Sequence, residues 1–185
     1  MKRVLFFLLA IFPLISFSQN EAAIWYFGQF AGLDFNSGVP VVLTDGQINT
    51  FEGCATISDF QGNLLFYTDG VTVWDRTHNM MPNGNGLLGN TSSTQSAIIV
   101  PKPNNINQYY IISVDSRGFS ALSANGIRYT TVDLTLNGGL GDVITSEKNI
   151  VLVAQAYEKV TAVQHADNNS FWIMIGHIVL IKPHL

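Results

Sequence analysis

One two-strand pattern recurs three times in this chain: an apolar strand, a polar turn, then a second strand rich in aromatic residues. The copies are GCATISDFQGNLLFYTD from Gly53 to Asp69, QSAIIVPKPNNINQYYIISVD from Gln95 to Asp115, and TAVQHADNNSFWIMIGH from Thr161 to His177. Hairpins that recur every ~40 to 60 residues, with no helical segment between them, are the sequence signature of a β-propeller or another stacked-sheet array. No such unit buries its apolar faces alone, so each must pack against its neighbours. Architectures of this kind usually bind or scaffold.

Turn chemistry marks out the remaining strands. AIWYFG, Ala23 to Gly28, is a short aromatic strand stopped by a glycine. Val39 to Leu43 lies between the turn signals Asn36-Ser37-Gly38 and Asp45-Gly46. Asp69-Gly70 turns the first repeated hairpin directly into Val71 to Asp75. Ile127 to Leu134 alternates as a strand should, Asn149 to Ala154 is a further strand, and LNGGLGD at Leu136 to Asp142 is a connection. From His78 to Thr94 the chain is rich in Gly, Asn, Ser and Thr with no sustained hydrophobic period, which predicts a long surface loop. The expected class is all-β, a β-propeller-like array of antiparallel hairpins or blades. Corresponding hairpins are 42 residues apart from Ala55 to Ala97 and 65 apart from Ala97 to Ala162, so the second interval must hold extra structure. At about 45 residues per blade the length predicts an incomplete ring of about three to four blades; a smaller barrel or sandwich is the alternative.

The first residues fix the expected address. Lys2 and Arg3 precede an apolar run from Val4 to Ile15, and Ser16-Phe17-Ser18 supplies a small-x-small cleavage site before Gln19. Residues 1–18 are therefore expected to be a secretory signal peptide, 19–177 the β domain, and 178–185 a tail that need not belong to it. Removing the leader takes away two of the nine basic residues and leaves 13 acidic ones, a formal charge of −6. A sparse, acidic surface repels phosphate backbones and anionic lipid, which argues against nucleic acid and against membrane insertion after cleavage. The single cysteine, Cys54, cannot form an internal disulfide and fits a small core residue in a strand.

No catalytic constellation emerges from the motifs. The four histidines, His78, His165, His177 and His184, lack metal-ligand spacing. Asp34, Glu52, Asp59, Asp69 and Asp75 could in principle supply a carboxylate pair of the glycosidase kind, with Asp34, Glu52 and Asp69 the members to test. Asp59 and Asp69 sit beside turn glycines, where holding backbone N–H groups accounts for them. The Leu136–Asp142 glycines have no following helix to make a phosphate cradle. No cofactor is expected; the Asp- and Asn-rich turns leave calcium as the single ion to consider, without EF-hand order. The best binding candidates are Trp74, near a turn and able to stack on a sugar or peptide, with Asp75 and Arg76 beside it.

The stretches IWYFGQFAGLDFNSG, EGCATISDFQGNLLFYTDGVTVWD, HNMMPNGNGLLGNTSSTQSAIIVPKP, YYIISVD and TLNGGLGDV cover most of Asn20 to Ala166. They resemble the N-terminal region of large exported proteins of Bacteroidetes-type bacteria, the type B sorting-domain proteins of type IX secretion, often linked to gliding motility. The resemblance implies a propeller-like repeat domain followed by further β modules and a sorting domain, with no catalytic residues attached to this region. Such relatives run on beyond the point where this chain stops at Leu185, so the resemblance implies a truncated product. The function expected is a non-enzymatic binding, adhesion or scaffold module at the cell surface, or in the periplasm if no sorting domain exists. Its partner would be a carbohydrate or protein, and an open sheet edge would invite pairing with another chain. The alternatives are a carbohydrate-active propeller enzyme with a central carboxylate pair, or a truncated product without function of its own.

Overall fold

The computed structural model describes residues 20–117 and 125–177. Within them the chain forms four antiparallel sheets in sequence order, none of which closes on itself. Sheet I holds β1 (Ile24–Phe27), β2 (Ala31–Asp34) and β3 (Val41–Leu43); sheet II holds β4 (Ala55–Ser58), β5 (Leu64–Thr68) and β6 (Val73–Asp75). Sheet III holds β7 (Ala97–Pro101), β8 (Gln108–Val114) and β9 (Ile127–Asp133), with β10 (Asp142–Val143) and β11 (Ile150–Val153) dividing the far edge of β9 between them. Sheet IV is the pair β12 (Ala156–Gln164) and β13 (Phe171–His177). Among the described residues, helix is confined to three short 3-10 turns. The leader expected over 1–18 and the tail expected over 178–185 lie outside the described residues.

The three repeated hairpins are the first two strands of sheets II, III and IV, and β1–β2 opens sheet I in the same way. The first strands lie side by side through the molecule, β1 against β4, β4 against β7, and β7 against β12. Polar bonds stitch these contacts. Tyr26 N donates to Thr56 Oγ1 at 3.0 Å, Ser96 Oγ donates to the Asp69 carbonyl, and Val160 N donates to Gln95 Oε1 at 3.1 Å. Gly53 is glycine because a Cβ there would stand 2.2 Å from Ser96 N, so only a bare backbone lets sheets II and III approach this closely.

Strand alternation puts successive side chains into different interfaces. On β5, Phe66 packs with Ile57, Val73 and Met81 against Ile111, Val132 and Val143 of sheet III. Its neighbour Tyr67 packs the other way, with Tyr26 and Ile48, against sheet I. On β8, Ile111 faces sheet II, whereas Ile112 joins Val100, Val114 and Ile127 against Ala156 and Val160 of sheet IV. Sheets II and III are thus buried on both faces, which is why their strands are almost continuously apolar. Each fully buried side chain of this size contributes roughly 1.5 to 3 kcal/mol relative to exposure.

The His78–Thr94 stretch departs from the surface loop expected of it. Met81, Leu87 and Ser93 are buried, and the backbone runs along the free edge of β6. Val73 N bonds Gly84 O at 2.8 Å, Met81 N bonds Val73 O at 2.9 Å, and Asp75 N bonds Asn79 O at 2.9 Å. Left-handed residues at His78, Asn83 and Gly86 break the strand period, so the sequence shows no alternation even though the segment serves as a ragged outer strand. The 65-residue interval is explained by β9, β10 and β11, which complete sheet III before the next hairpin begins.

Candidate functional site

The hairpin loops of sheets II and III flank an open cleft of about 500 Å³. Ile57, Ser58 and Leu65 form one wall, Pro101, Tyr109 and Leu134 the other, and the loop residues Phe60 and Ile106 stand at the mouth. Phe60 is 72% exposed and Ile106 90% exposed, so two large apolar side chains stand open to solvent on one rim. A bulge between β4 and β5, where the register shifts between Ile57 and Ser58, lets these consecutive residues line the same cleft. The Asn20–Ala22 turn reaches the rim because Asn20 Nδ2 donates to the Phe60 carbonyl at 3.1 Å, and this brings Glu21 to the cleft.

The cleft is apolar in its walls and acidic at its edge. Asp59 caps the β4–β5 turn: its Oδ1 accepts Gln61 N at 2.8 Å and Asn63 N at 2.9 Å, and its Oδ2 accepts Asn63 Nδ2 at 2.9 Å. Desolvation works to raise this carboxyl, but these hydrogen bonds prevail and hold it below the usual carboxylate range. Burial pushes the Tyr109 phenol up, and the charges of Asp59 and Glu21 push it further. Ser58 is 1% exposed and its Oγ has no hydrogen-bond partner.

A second polar cluster locks sheet I to sheet II. Tyr26 OH donates to Asp45 Oδ1 at 2.8 Å, His78 Nε2 lies 3.3 Å from Asp45 Oδ2, and His78 Nδ1 lies 3.1 Å from Tyr67 OH. Gln47 N donates to the same Tyr67 oxygen at 3.1 Å. One arrangement satisfies every group: Tyr67 donates to Nδ1, the Nε2–H donates to Asp45, and Tyr67 accepts from Gln47. Tyr67 stacks between Tyr26, at 4.7 Å between ring centroids, and Trp74, at 5.5 Å. Burial pushes the Tyr67 phenol up to about 12; burial and then the Asp45 hydrogen bond push Tyr26 up as well. Desolvation acts to raise Asp45, yet the bond from Tyr26, its own backbone N–H and the His78 ring outweigh it and lower the group. Tyr67 is fully buried, and through it the cluster fastens sheet I to sheet II.

Trp74, Asp75 and Arg76, expected as a binding trio, are engaged in internal contacts. Trp74 is half-buried with one face on Tyr67. Asp75 is buried, and its Oδ1 accepts Thr77 N at 2.7 Å and Thr77 Oγ1 at 2.6 Å. Arg76 Nη1 reaches across to the Gly139 carbonyl of the sheet III loop at 2.6 Å. Of the carboxylates considered as a pair, Asp34 bonds Asn36 N and Asp69 bonds Val71 N and Thr72 N in separate turns, while Glu52 precedes β4. Cys54 is half-buried, its thiol donating to the Tyr26 carbonyl at 3.3 Å, and burial raises its pKa. Among the described residues, no three His, Cys, Asp or Glu side chains converge as metal ligands do. Neither the cleft nor the Asp45–His78 contact was visible in the sequence, because both join residues far apart in the chain and carried on turns.

Fold and site together define an all-β protein of serially packed antiparallel sheets with a cleft between its two inner sheets. No family model, curated protein or solved structure matches the chain. No helix among the described residues is long and apolar enough to cross a membrane.

Proposed function

We propose that this chain is an exported, non-enzymatic binding module of propeller-like architecture, acting at the cell surface in the manner of the type IX secreted proteins it resembles. The observation that carries this reading is the cleft between sheets II and III, with exposed Phe60 and Ile106 at its mouth. Concave, mostly apolar pockets with a few polar groups are where small ligands and peptide side chains bind. The blade-like reading draws on the outward run of each sheet from a first strand packed beside the first strand of the next. Residues 1–18 carry the export proposal through their charged start and apolar middle.

The test is a binding screen of the purified chain against immobilised glycans and peptides, repeated with Tyr109→Ala and Ile106→Ser. The reading expects a saturable ligand whose affinity falls about tenfold or more with Tyr109→Ala, as for an aromatic at the centre of a contact. Glycan hydrolysis that disappears on replacing Asp69 or Glu52 by the amide would overturn it in favour of an enzyme.

A further inference from the structure

The walls and rim of the sheet II–III cleft specify a ligand chemistry, in an inference that rests on the binding-module reading. The walls offer Leu65 and the Tyr109 ring, apolar surfaces against which an aliphatic stem can pack. The rim carries the carboxylates of Glu21 and Asp59, and among the described residues no lysine or arginine lines the cleft to neutralise them. Glu21, Asp59 and Tyr109 all line this one cleft. Independently of the carboxylates, Ser58 lines the cleft at 1% exposure with its Oγ unpartnered. A buried hydroxyl without a partner is costly, and a donor arriving with a ligand would satisfy it.

The geometry points to a peptide lysine or arginine as the occupant of this cleft, its methylene stem against Leu65 and Tyr109 and its cationic head at Glu21 and Asp59. Opposite charges brought together at the edge of an apolar cleft attract more strongly than in open water. The backbone of such a peptide would run across the rim between Phe60 and Ile106, which are exposed and apolar.

The test uses the purified chain and two probes, N-acetyl-lysine methylamide and its uncharged analogue N-acetyl-norleucine methylamide, followed by chemical shifts of Ser58, Leu65 and Tyr109. The lysine probe is expected to shift all three signals and to bind at least about fivefold more tightly than norleucine, with the margin shrinking as salt is raised. Glu21→Gln is expected to reduce that margin about fivefold. Ser58→Ala, which removes an unsatisfied group, is expected to weaken lysine binding while leaving the melting temperature unchanged or higher. Equal binding of both probes, or a Glu21→Gln variant that binds lysine normally, would overturn the cationic ligand and leave the cleft as a binding site. A free alkylamine that binds as tightly as the lysine probe would overturn the peptide assignment. Absence of any shift with either probe, and with the ligands of the wider screen, would remove the cleft reading itself.

Discussion

Sheets II and III differ from sheets I and IV in what covers them, although all four are built from the same strand alternation. Phe66 and Tyr67, or Ile111 and Ile112, point in opposite directions and each finds a neighbouring sheet. In sheet I, Tyr26 faces sheet II, while Trp25 and, across the register, Leu33 and Val42 face away; Trp25 is 49% exposed. In sheet IV, Ala162 and Ile173 face sheet III, while Val163 and Trp172 face away; Trp172 is 63% exposed. The same local pattern therefore gives a core residue or an open apolar face according to place in the array. Apolar faces of this kind mark surfaces that another β unit or chain can cover.

Several substitutions would break or sharpen this contrast. The largest effect belongs to Phe66→Ala, which opens a cavity between sheets II and III and should cost about 3 to 5 kcal/mol in a urea titration. A loss below about 1 kcal/mol would contradict two-sided burial of sheet II. Next comes Tyr67→Phe at the junction with sheet I. It leaves Gln47 N and His78 Nδ1 without their partner and should cost about 1 to 2 kcal/mol by the same titration.

That junction also titrates. Tyr67 and Tyr26 have raised pKa values, so their neutral forms are favoured by folding. Their contribution is intact below the ordinary tyrosine value of 10.0 and is lost as pH rises toward about 12. Asp45 is lowered, so its contribution is present above the ordinary value of 3.8 and is lost as pH falls below it. Stability measured across pH should fall at both ends, and Tyr67→Phe should flatten the alkaline limb. An unchanged alkaline limb would sever Tyr67 from the lock. The smallest effect on folding is expected from Trp172→Ala on the open face of sheet IV, within about 0.5 kcal/mol. Its consequence should appear in sedimentation instead, as weaker self-association at high concentration. A loss of several kcal/mol would show that this face is covered within the chain.

The inner hairpins were legible in the sequence because two-sided burial writes long apolar strands between Asn, Asp and Gly turns, as around Asp59–Asn63. Strand β2 was not, because its AGLD sequence is small on the side facing sheet II. Gly32 lies under the Tyr26 ring, where a Cβ would meet ring carbons at 2.9 Å, so a tight fit erased the usual β signal. The edge segment after His78 was hidden for a related reason, since left-handed residues at His78, Asn83 and Gly86 interrupt the strand period between the residues that bond to the edge. Trp74 was legible as an aromatic near a turn, but its stacking on Tyr67 depends on a partner from the adjacent strand β5 and on Tyr26 beyond it. The cleft needed Glu21, Ser58 and Tyr109 together, and no local pattern links residues from a 3-10 turn and two separate sheets.

Native-state hydrogen exchange, read amide by amide, tests the serial packing most directly. The account predicts the slowest exchange along β5 and β8 of the doubly covered sheets, and faster exchange along β1, β2 and β13 of the sheets with an open face. Equal protection in all four sheets, or the greatest protection in sheet IV, would contradict it.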